Sequence, residues 1–172
     1  PLDSLVFDID MDGDGRVLIG GAFTNVSGQQ RRNLARLTNT GSLDTTFLPL
    51  VNGPVYAIAV QPADGRIVIG GSFSNVNNQS KWRITRLLST GSTDTTFNAS
   101  INSNYYTVLE VRSVTIGTDG KIIAGGNFSM ANSVQRNYLA RFQADGSLDI
   151  AFDPNADGVV ERVASSSDGS LL

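Results

Sequence analysis

The sequence RVLIGGAF at residues 16–23 decides the fold, because it returns as RIVIGGSF at residues 66–73 and as KIIAGGNF at residues 121–128. The steps between the copies are 50 and 55 residues. Two further features keep this register: the tail GSLDTTF returns as GSTDTTF and GSLDIAF, and an arginine recurs at Arg36, Arg86 and Arg141. Agreement of three features in one phase indicates an internal repeat, which is typical of solenoids and propellers.

Within a repeat, the pattern is that of β-strands. In the second copy, VYAIAVQ at residues 55–61 and RIVIGGS at residues 66–72 flank an Asp-Gly turn at 64–65, which is a strong hairpin signal. WRITRLL at residues 82–88 follows a polar loop, and Gly91 suits the left-handed last position of a three-residue hairpin loop. No segment has sustained helical periodicity, so we expect almost no helix. About four antiparallel strands in roughly 50 residues predict a β-propeller blade.

The predicted fold class is therefore all-β, with β-propeller blades made of four-stranded antiparallel sheets. Three blade-like repeats are placed at residues 1–53, 54–105 and 106–158, and residues 159–172 begin a fourth. Closed propellers have about four to eight blades, so the predicted ring is incomplete. We expect either a piece of a longer chain, or several copies that complete one another by strand exchange or stacking at open edges.

The composition argues against several classes of function. A formal net charge of -3 provides no basic surface for nucleic acid or an anionic membrane. The absence of cysteine and histidine removes thiolate nucleophiles, the commonest zinc ligands and the usual neutral-pH base. No apolar run approaches the roughly 18 to 20 residues of a membrane-spanning helix, so we do not expect membrane insertion. A protein that is not an enzyme and holds no cofactor is expected.

An acidic stretch near the start, DIDMDGDG, resembles a calcium loop, and its candidate metal ligands are Asp8, Asp10, Asp12 and Asp14. An EF-hand loop needs a carboxylate at its twelfth position, but the twelfth residue from Asp8 is Ile19 and from Asp10 is Gly21. The alternative is that Asp14 belongs to a tight turn and the preceding aspartates share one face of the first strand. We favour the turn and strand, and keep calcium as the alternative.

The first strand of each repeat is expected to line the central channel, where propellers usually hold ligands. Sliding the repeats together by the steps of 50 and 55 residues places Asp8 on Ile58 and Ser113, and Asp10 on Val60 and Thr115. The channel is then expected to be polar, with Asp8, Asp10, Ser113, Thr115 and Arg162 as its lining.

Three pairs of opposite charge recur around a turn, eight residues apart: Arg36 with Asp44, Arg86 with Asp94, and Arg141 with Asp149. Hairpin symmetry places the two side chains of each pair opposite one another, close enough for a charge-assisted hydrogen bond. A catalytic pair is needed once, whereas this pair appears in every repeat, so we assign it to holding the outer strands. We likewise assign the recurrent phenylalanines to packing between blades, and the paired glycines to a bulge or a close backbone approach.

The loops that differ between repeats are the candidates for recognition. They are rich in Asn, Gln and Ser and carry single aromatic residues, which sugar-binding and protein-binding rims use. The candidate ligand-binding residues are Asn75, Asn77, Asn78, Gln79, Trp82, Tyr105, Tyr106 and Tyr138.

The DGRIVIGGSF core, the Asn-rich loop, the arginine of ITRL and the GSxDTTF tail together make the chain similar to the delta-sixty repeat family, β-propeller repeat proteins of bacteria and phage. The resemblance spans nearly the whole chain. It implies a propeller-like fold and an extracellular, cell-surface or virion setting, and it implies no defined activity.

The leading hypothesis is a non-enzymatic β-propeller scaffold of a cell-surface or virion structural protein, such as a phage tail or fibre, that mediates attachment or assembly. Its expected partners are a protein or glycan surface, or further copies in a homo-oligomer or larger assembly. One alternative is a glycan-acting propeller enzyme with Asp8 and Asp10 as acid and base. Another is a calcium-stabilised adhesion module.

Overall fold

The all-β prediction is confirmed by a computed structural model, which describes residues 1–103 and 108–166. Sixteen β-strands and no helix are found in these two ranges. Accordingly, the described residues contain no helix that is long and apolar enough to cross a membrane.

Each repeat builds one small antiparallel sheet in which a middle strand pairs with an inner and an outer strand. The inner, middle and outer strands are β1 (Val6–Met11), β2 (Val17–Gly21) and β5 (Leu34–Leu37) in repeat 1; β6 (Val55–Val60), β7 (Ile67–Gly71) and β10 (Ile84–Leu87) in repeat 2; and β12 (Glu110–Ile116), β13 (Ile122–Asn127) and β16 (Leu139–Phe142) in repeat 3. These sheets are the blades.

The expected fourth strand of each blade is shortened to a single bridge. The bridges join Leu37 to Leu43, Leu87 to Thr93, and Phe142 to Leu148. In repeat 1 the shortening has a local cause: the Asp44 carboxylate accepts hydrogen bonds from the backbone nitrogen of Thr46 at 2.9 Å and from its hydroxyl at 2.6 Å. This turn directs the chain away from the sheet directly after the bridge.

The polar loop after each middle strand is a short hairpin. The hairpins are β3 (Asn25–Val26) with β4 (Gln29–Gln30), β8 (Asn75–Val76) with β9 (Gln79–Ser80), and β14 (Met130–Ala131) with β15 (Val134–Gln135). The segment that precedes each inner strand pairs with the edge of a hairpin, through Leu2 to Val26, Val51 to Val76, and β11 (Ile101–Asn102) to β14. The last two of these contacts link one repeat to the next.

The register of the inner strands corrects one prediction. Asp8 and Ala57 each lie opposite the first glycine of the repeated pair, so Asp8 is equivalent to Ala57 and not to Ile58. In this strand the step of 50 residues from repeat 1 to repeat 2 was wrong by one residue, for Asp8 and Asp10 alike, because the turn at residues 61–66 has one residue more than the turn at residues 12–16.

With this register, residues at the same position of successive inner strands can be grouped into equivalent sets. The fourth repeat is aligned through Val160 and Val163, which contact Gly125 as Val55 and Ile58 contact Gly20. The sets are Val6, Val55, Val111 and Val160; Phe7, Tyr56, Arg112 and Glu161; Asp8, Ala57, Ser113 and Arg162; Ile9, Ile58, Val114 and Val163; and Asp10, Ala59 and Thr115.

The hydrophobic core lies between neighbouring blades. One buried cluster joins residues of repeats 1 and 2, and a second joins residues of repeats 2 and 3. The glycines permit this packing: a Cβ at Gly20 would lie 2.8 Å from Val55, and one at Gly70 would lie 2.5 Å from Val111. The second glycine of each pair faces a β-bulge of the inner strand. Both predicted roles of the paired glycines, bulge and close approach, are therefore present.

Candidate functional site

The three recurrent charged pairs are formed in the structure. The Nε atom of each arginine donates to the Oδ2 atom of its aspartate at 2.8 Å for Arg36 and Asp44, 2.8 Å for Arg86 and Asp94, and 2.9 Å for Arg141 and Asp149. Each guanidinium also lies over a phenylalanine ring of the same repeat, at 4.5 Å from Phe47, 4.8 Å from Phe97 and 4.3 Å from Phe152. We call each set of three residues an Arg–Asp–Phe unit.

Each unit that is followed by a complete repeat also contacts that repeat. Nη1 of Arg36 donates to the backbone oxygen of Ser89 at 2.6 Å, and Nη1 of Arg86 donates to that of Ala144 at 2.5 Å. Both acceptors lie in the hairpin turn of the following blade. The units therefore join neighbouring blades as well as the strands within one blade.

The aspartates of the units are held ionised. Hydrogen bonds from Thr46 and then Arg36 lower the pKa of Asp44 to about 2, against the effect of burial. Burial alone would raise the pKa of Asp94, but hydrogen bonds from Thr96 and Arg86 lower it below its ordinary value. A carboxylate with a lowered pKa is a poor proton donor or acceptor at neutral pH, which favours a structural role.

Two carboxylates of the acidic stretch bind backbone groups of the neighbouring repeat. The Asp8 Oδ2 atom accepts from the backbone nitrogen of Ile58 at 2.7 Å, and the Asp10 Oδ2 atom accepts from that of Val60 at 2.7 Å. These donors lie on the channel-facing edge of β6, which is the edge strand of its sheet in the described residues. The two aspartates thus satisfy backbone groups that would otherwise need another partner.

The other two carboxylates bind Arg16. The Asp12 carboxylate accepts from the Arg16 Nε at 2.8 Å and from two backbone nitrogens at 3.0 Å, and the Asp14 Oδ2 lies 2.8 Å from the Arg16 Nη2. The four aspartates therefore do not converge on one point. Across the described ranges, no group of three or more acidic side chains could hold a metal ion.

The structure brings together the five predicted channel residues. Asp8, Asp10, Ser113, Thr115 and Arg162 share the lining of one cavity of about 370 Å³. The Ser113 hydroxyl accepts from the backbone nitrogen of Val163 at 3.1 Å, which repeats with a serine the contact that Asp8 makes with the next inner strand. The five predicted residues therefore share one cavity, but its lining also contains apolar residues such as Ile58, Val60 and Val114.

Sequence reasoning missed the residues that line the adjoining channel mouth, a cavity of about 370 Å³ that shares Asp8, Ser113 and Arg162 with the channel. The additional residues include the bulge positions of three inner strands, Phe7, Tyr56 and Arg112, the equivalent residue Glu161, and Glu110. In the sequence, they could have been found as one equivalent position at which the residue type changes from repeat to repeat. This change is visible only with the correct register.

The channel mouth has an aromatic side and a charged side. The ring centroids of Phe7 and Tyr56 lie 5.1 Å apart, and Arg112 forms ion pairs with Glu110 and Glu161. Burial raises the pKa of Asp8, outweighing the hydrogen bond from the Ile58 backbone and the charge of Arg162. The pKa of Asp8 is therefore moved towards neutrality in the structure.

The predicted loop residues are divided between separate surfaces. Asn77 is internal to the fold, since its Oδ1 accepts from the Leu50 backbone nitrogen at 2.8 Å and its Nδ2 donates to the Gly91 backbone oxygen at 3.0 Å. Asn75 and Asn78 line a groove of about 360 Å³, whereas Gln79 and Asn77 line another of about 410 Å³.

The predicted aromatic residues also differ in position. Trp82 is 45% exposed, and its Nε1 donates to the Ser80 hydroxyl at 2.9 Å. Tyr138 is half-buried with a φ of 62°, and its backbone oxygen accepts from Gly126, so its main-chain role lies within the blade. Tyr105 and Tyr106 lie outside the described residues.

Comparison with known protein families finds one family whose matches follow the repeats of the chain. The family described as domain of unknown function (DUF5122) beta-propeller matches the chain three times, at residues 13–47, 63–97 and 117–152. Each match begins near the turn after an inner strand and ends with the phenylalanine of the Arg–Asp–Phe unit. No curated protein matches the chain. Because the three matches cover 106 of the 172 residues, the chain belongs to this β-propeller repeat family.

Proposed function

We propose that the chain is a non-enzymatic β-propeller scaffold of a cell-surface or virion structural protein that mediates attachment or assembly. The supporting observation is that the Arg–Asp–Phe units hold blades together. Arg36 and Arg86 donate hydrogen bonds to the turn of the following blade, and not into a ligand cavity. This proposal includes the narrower assignment of the chain to the delta-sixty repeats, which is supported by the repeated core, loop, arginine and tail motifs.

The attachment surface in this proposal is the exposed side of the loop in repeat 2. This loop exposes Trp82 and two amides, Asn78 and Gln79, which line separate grooves, so it offers amide hydrogen-bonding groups and one aromatic ring. The Arg83 guanidinium carbon lies 5.6 Å from the centre of the Trp82 ring and supports it from one side. An aromatic ring beside amides is a common composition of a surface that recognises glycans or proteins.

Fluorescence tests this surface directly, because Trp82 is the only tryptophan in the chain. A glycan array and a panel of purified envelope proteins are first probed with the folded protein, and hits are then titrated while tryptophan emission is followed. We expect a saturable change in emission and loss of array binding in Trp82→Ala. Val108→Ala, another exposed apolar position, is the control and retains binding. Array binding that survives Trp82→Ala would place attachment elsewhere, and no binding at all would refute attachment.

A glycan-acting enzyme is the second candidate, favoured by one specific observation. Asp8 has a raised pKa in a cavity that also contains Phe7 and Tyr56, a combination found at catalytic acids. A panel of polysaccharides, assayed for new reducing ends with wild type and Asp8→Asn, separates the two candidates. Hydrolysis by wild type alone would establish the enzyme, whereas equal silence of both proteins would remove it.

The calcium-stabilised adhesion module has no corresponding support, because Asp8 and Asp10 bind backbone groups while Asp12 and Asp14 bind Arg16. Thermal melts with calcium and with a chelator test it. An upward shift of the melting temperature in calcium alone would revive this alternative.

A further inference from the structure

A groove of about 360 Å³ lies between the loop of repeat 1 and the segment that leads into repeat 2. Two arginines, Arg31 and Arg32, and two leucines, Leu48 and Leu50, are among the residues that line it. No acidic residue lines this groove in the part of the chain that the structure describes. Its volume is within the range of ligand sites, and its lining suits a negatively charged group on an apolar body.

The two leucines are a feature of this groove and not of the repeat. Leu48 and Leu50 are each 58% exposed, whereas Pro49 and Val51, which alternate with them, are buried. The same two outward positions are polar in the other repeats, where they are occupied by Asn98 and Ser100 and by Asp153 and Asn155. The fold therefore does not require leucine at either position, and an exposed apolar pair beside two arginines indicates a contact surface.

Arg31 lacks the carboxylate that its equivalent in repeat 3 binds. In both Arg31 and Arg136, Nη1 donates to the backbone oxygen of the preceding residue at 2.7 Å. Nη1 of Arg136 also donates to the Asp153 Oδ2 at 3.2 Å. In repeat 1 the position of Asp153 is taken by Leu48, and the Arg31 Nε is buried without an acceptor among the described residues. A guanidinium held by the same backbone contact thus has an apolar neighbour in place of an anion.

Neighbouring blades leave this position open. Repeat 2 has a blade on each side, and yet Trp82, the equivalent of Arg32, is 45% exposed. Ser80, the equivalent of Gln30, is exposed as well. The groove itself is formed by residues of repeats 1 and 2 alone. Its exposure is therefore the same whether or not other blades lie beside these two.

We propose that this groove binds a segment of a partner protein in which a carboxylate side chain lies beside an aliphatic one. The carboxylate binds Arg31 as the Asp153 carboxylate binds Arg136, and it arrives from solvent, since the Asp153 side chain is 49% exposed. The aliphatic side chain packs on Leu48 and Leu50. A peptide fits better than an acidic sugar, because the groove is lined by aliphatic side chains and has no aromatic ring for a sugar to stack on in the described residues.

An array of capped hexapeptides that contain Glu, Gln, Leu and Ser in all arrangements, probed with the folded protein, tests the groove. We expect binding of peptides in which Glu lies next to Leu, and none where Gln replaces Glu. Fluorescence anisotropy of the best labelled peptide then gives its dissociation constant, which should rise with salt concentration. Arg31→Gln removes the charge and is expected to raise this constant about 10-fold.

Leu48→Asp gives repeat 1 the carboxylate that repeat 3 has. It is expected to pair with Arg31, to raise the melting temperature and to abolish peptide binding, whereas Leu48→Asn should weaken the binding less. Asn98→Asp is the matched control, because it adds the same charge at the equivalent position of repeat 2, which does not line the groove. It leaves peptide binding unchanged, and circular dichroism verifies that all variants fold.

Silence of the whole array, or peptide binding that Arg31→Gln and Leu48→Asp leave unchanged, would overturn the inference. Binding of uronic acid oligosaccharides instead of peptides, lost in Arg31→Gln, would assign the groove to an acidic glycan and overturn the peptide. The inference goes beyond the proposed attachment surface and does not depend on it, so Trp82→Ala is expected to retain peptide binding. A silent array beside binding that Trp82→Ala abolishes would refute the groove and leave the proposed attachment function intact.

Discussion

Replacement of Arg86 by methionine tests the claim that the Arg–Asp–Phe units join blades. The Arg86 guanidinium is buried, with Asp94 at 2.8 Å, the Ala144 backbone oxygen at 2.5 Å and the Phe97 ring at 4.8 Å. Methionine keeps much of the apolar stem and removes all hydrogen bonds. The buried Asp94 then loses its principal counter-charge, and the turn of repeat 3 loses a donor.

The expected cost is about 3 kcal/mol in the free energy of unfolding, at the lower end of the range for breaking a buried ion pair. The lower end applies because Asp94 keeps the hydrogen bonds from Thr96 and a second arginine, Arg66, at 3.5 Å. The same change at Arg141 is expected to cost about 1 kcal/mol, because Arg141 is partly exposed and Lys121 stays 3.0 Å from Asp149.

Urea denaturation followed by circular dichroism measures both variants against wild type at pH 7. Arg86→Met and Arg141→Met are compared because both residues make the same pair within their own blade; of the two, Arg86 donates to the turn of a following blade, and Arg141 has a lysine beside its aspartate. If the two variants lose stability within about 0.5 kcal/mol of each other, the contact with the following blade contributes little, and the interblade role assigned to the unit is wrong.

Three further predictions concern glycine packing and pH. Gly146→Ala is expected to cost about 2 kcal/mol more than Gly41→Ala in urea denaturation, because both glycines have φ above 80° but only at Gly146 would a Cβ lie 2.7 Å from the backbone nitrogen of Ala99. The pKa of Asp44 is lowered to about 2, so the stabilising effect of its ionised form is complete above the unfolded pKa near 4 and is lost as the pH falls through about 2. Thermal melts should show the melting temperature falling over this window, and falling less in Asp44→Asn. Burial raises the pKa of Asp8, so its ionisation opposes folding as the pH rises, and Asp8→Asn should raise the melting temperature at pH 7 and leave it unchanged at pH 2.

The blade could be predicted from sequence because its determinants are local. The Asp-Gly turns, the short apolar strand segments and the glycine of each outer turn act within a few residues, and Gly41, Gly91 and Gly146 all have the expected positive φ. The register of the inner strand failed because one extra residue in the turn at 61–66 shifts everything before it. A constant repeat step has no means to detect such an insertion.

The site was predicted only where its contacts lie within one hairpin. Arg36 and Asp44 face each other by hairpin symmetry, which the sequence contains. The acceptor of the same arginine, Ser89, lies 53 residues away in the next blade, and nothing local points to it. The contact between Phe7 and Tyr56 at the channel mouth could not be predicted for the same reason, because it exists only when two blades lie side by side.

The equivalent positions also act as an internal comparison of environments. Repeat 2 has a neighbour on each side, and its buried clusters are shared with both; repeat 1 shares a cluster only with repeat 2 and keeps a small one of its own, around Ile19, Phe23 and Ala35. In a repeat protein, stability is approximately the sum of the repeats and their nearest-neighbour interfaces. The middle blade should therefore open least often.

Hydrogen exchange measures this order blade by blade. We expect the slowest exchange in β7, which is covered on both faces, and faster exchange in β2, which is equally hydrogen-bonded but has a blade on one face only. Equal exchange in β2 and β7 would mean that the sheets are stable singly, and that the contacts between blades contribute less than their burial implies.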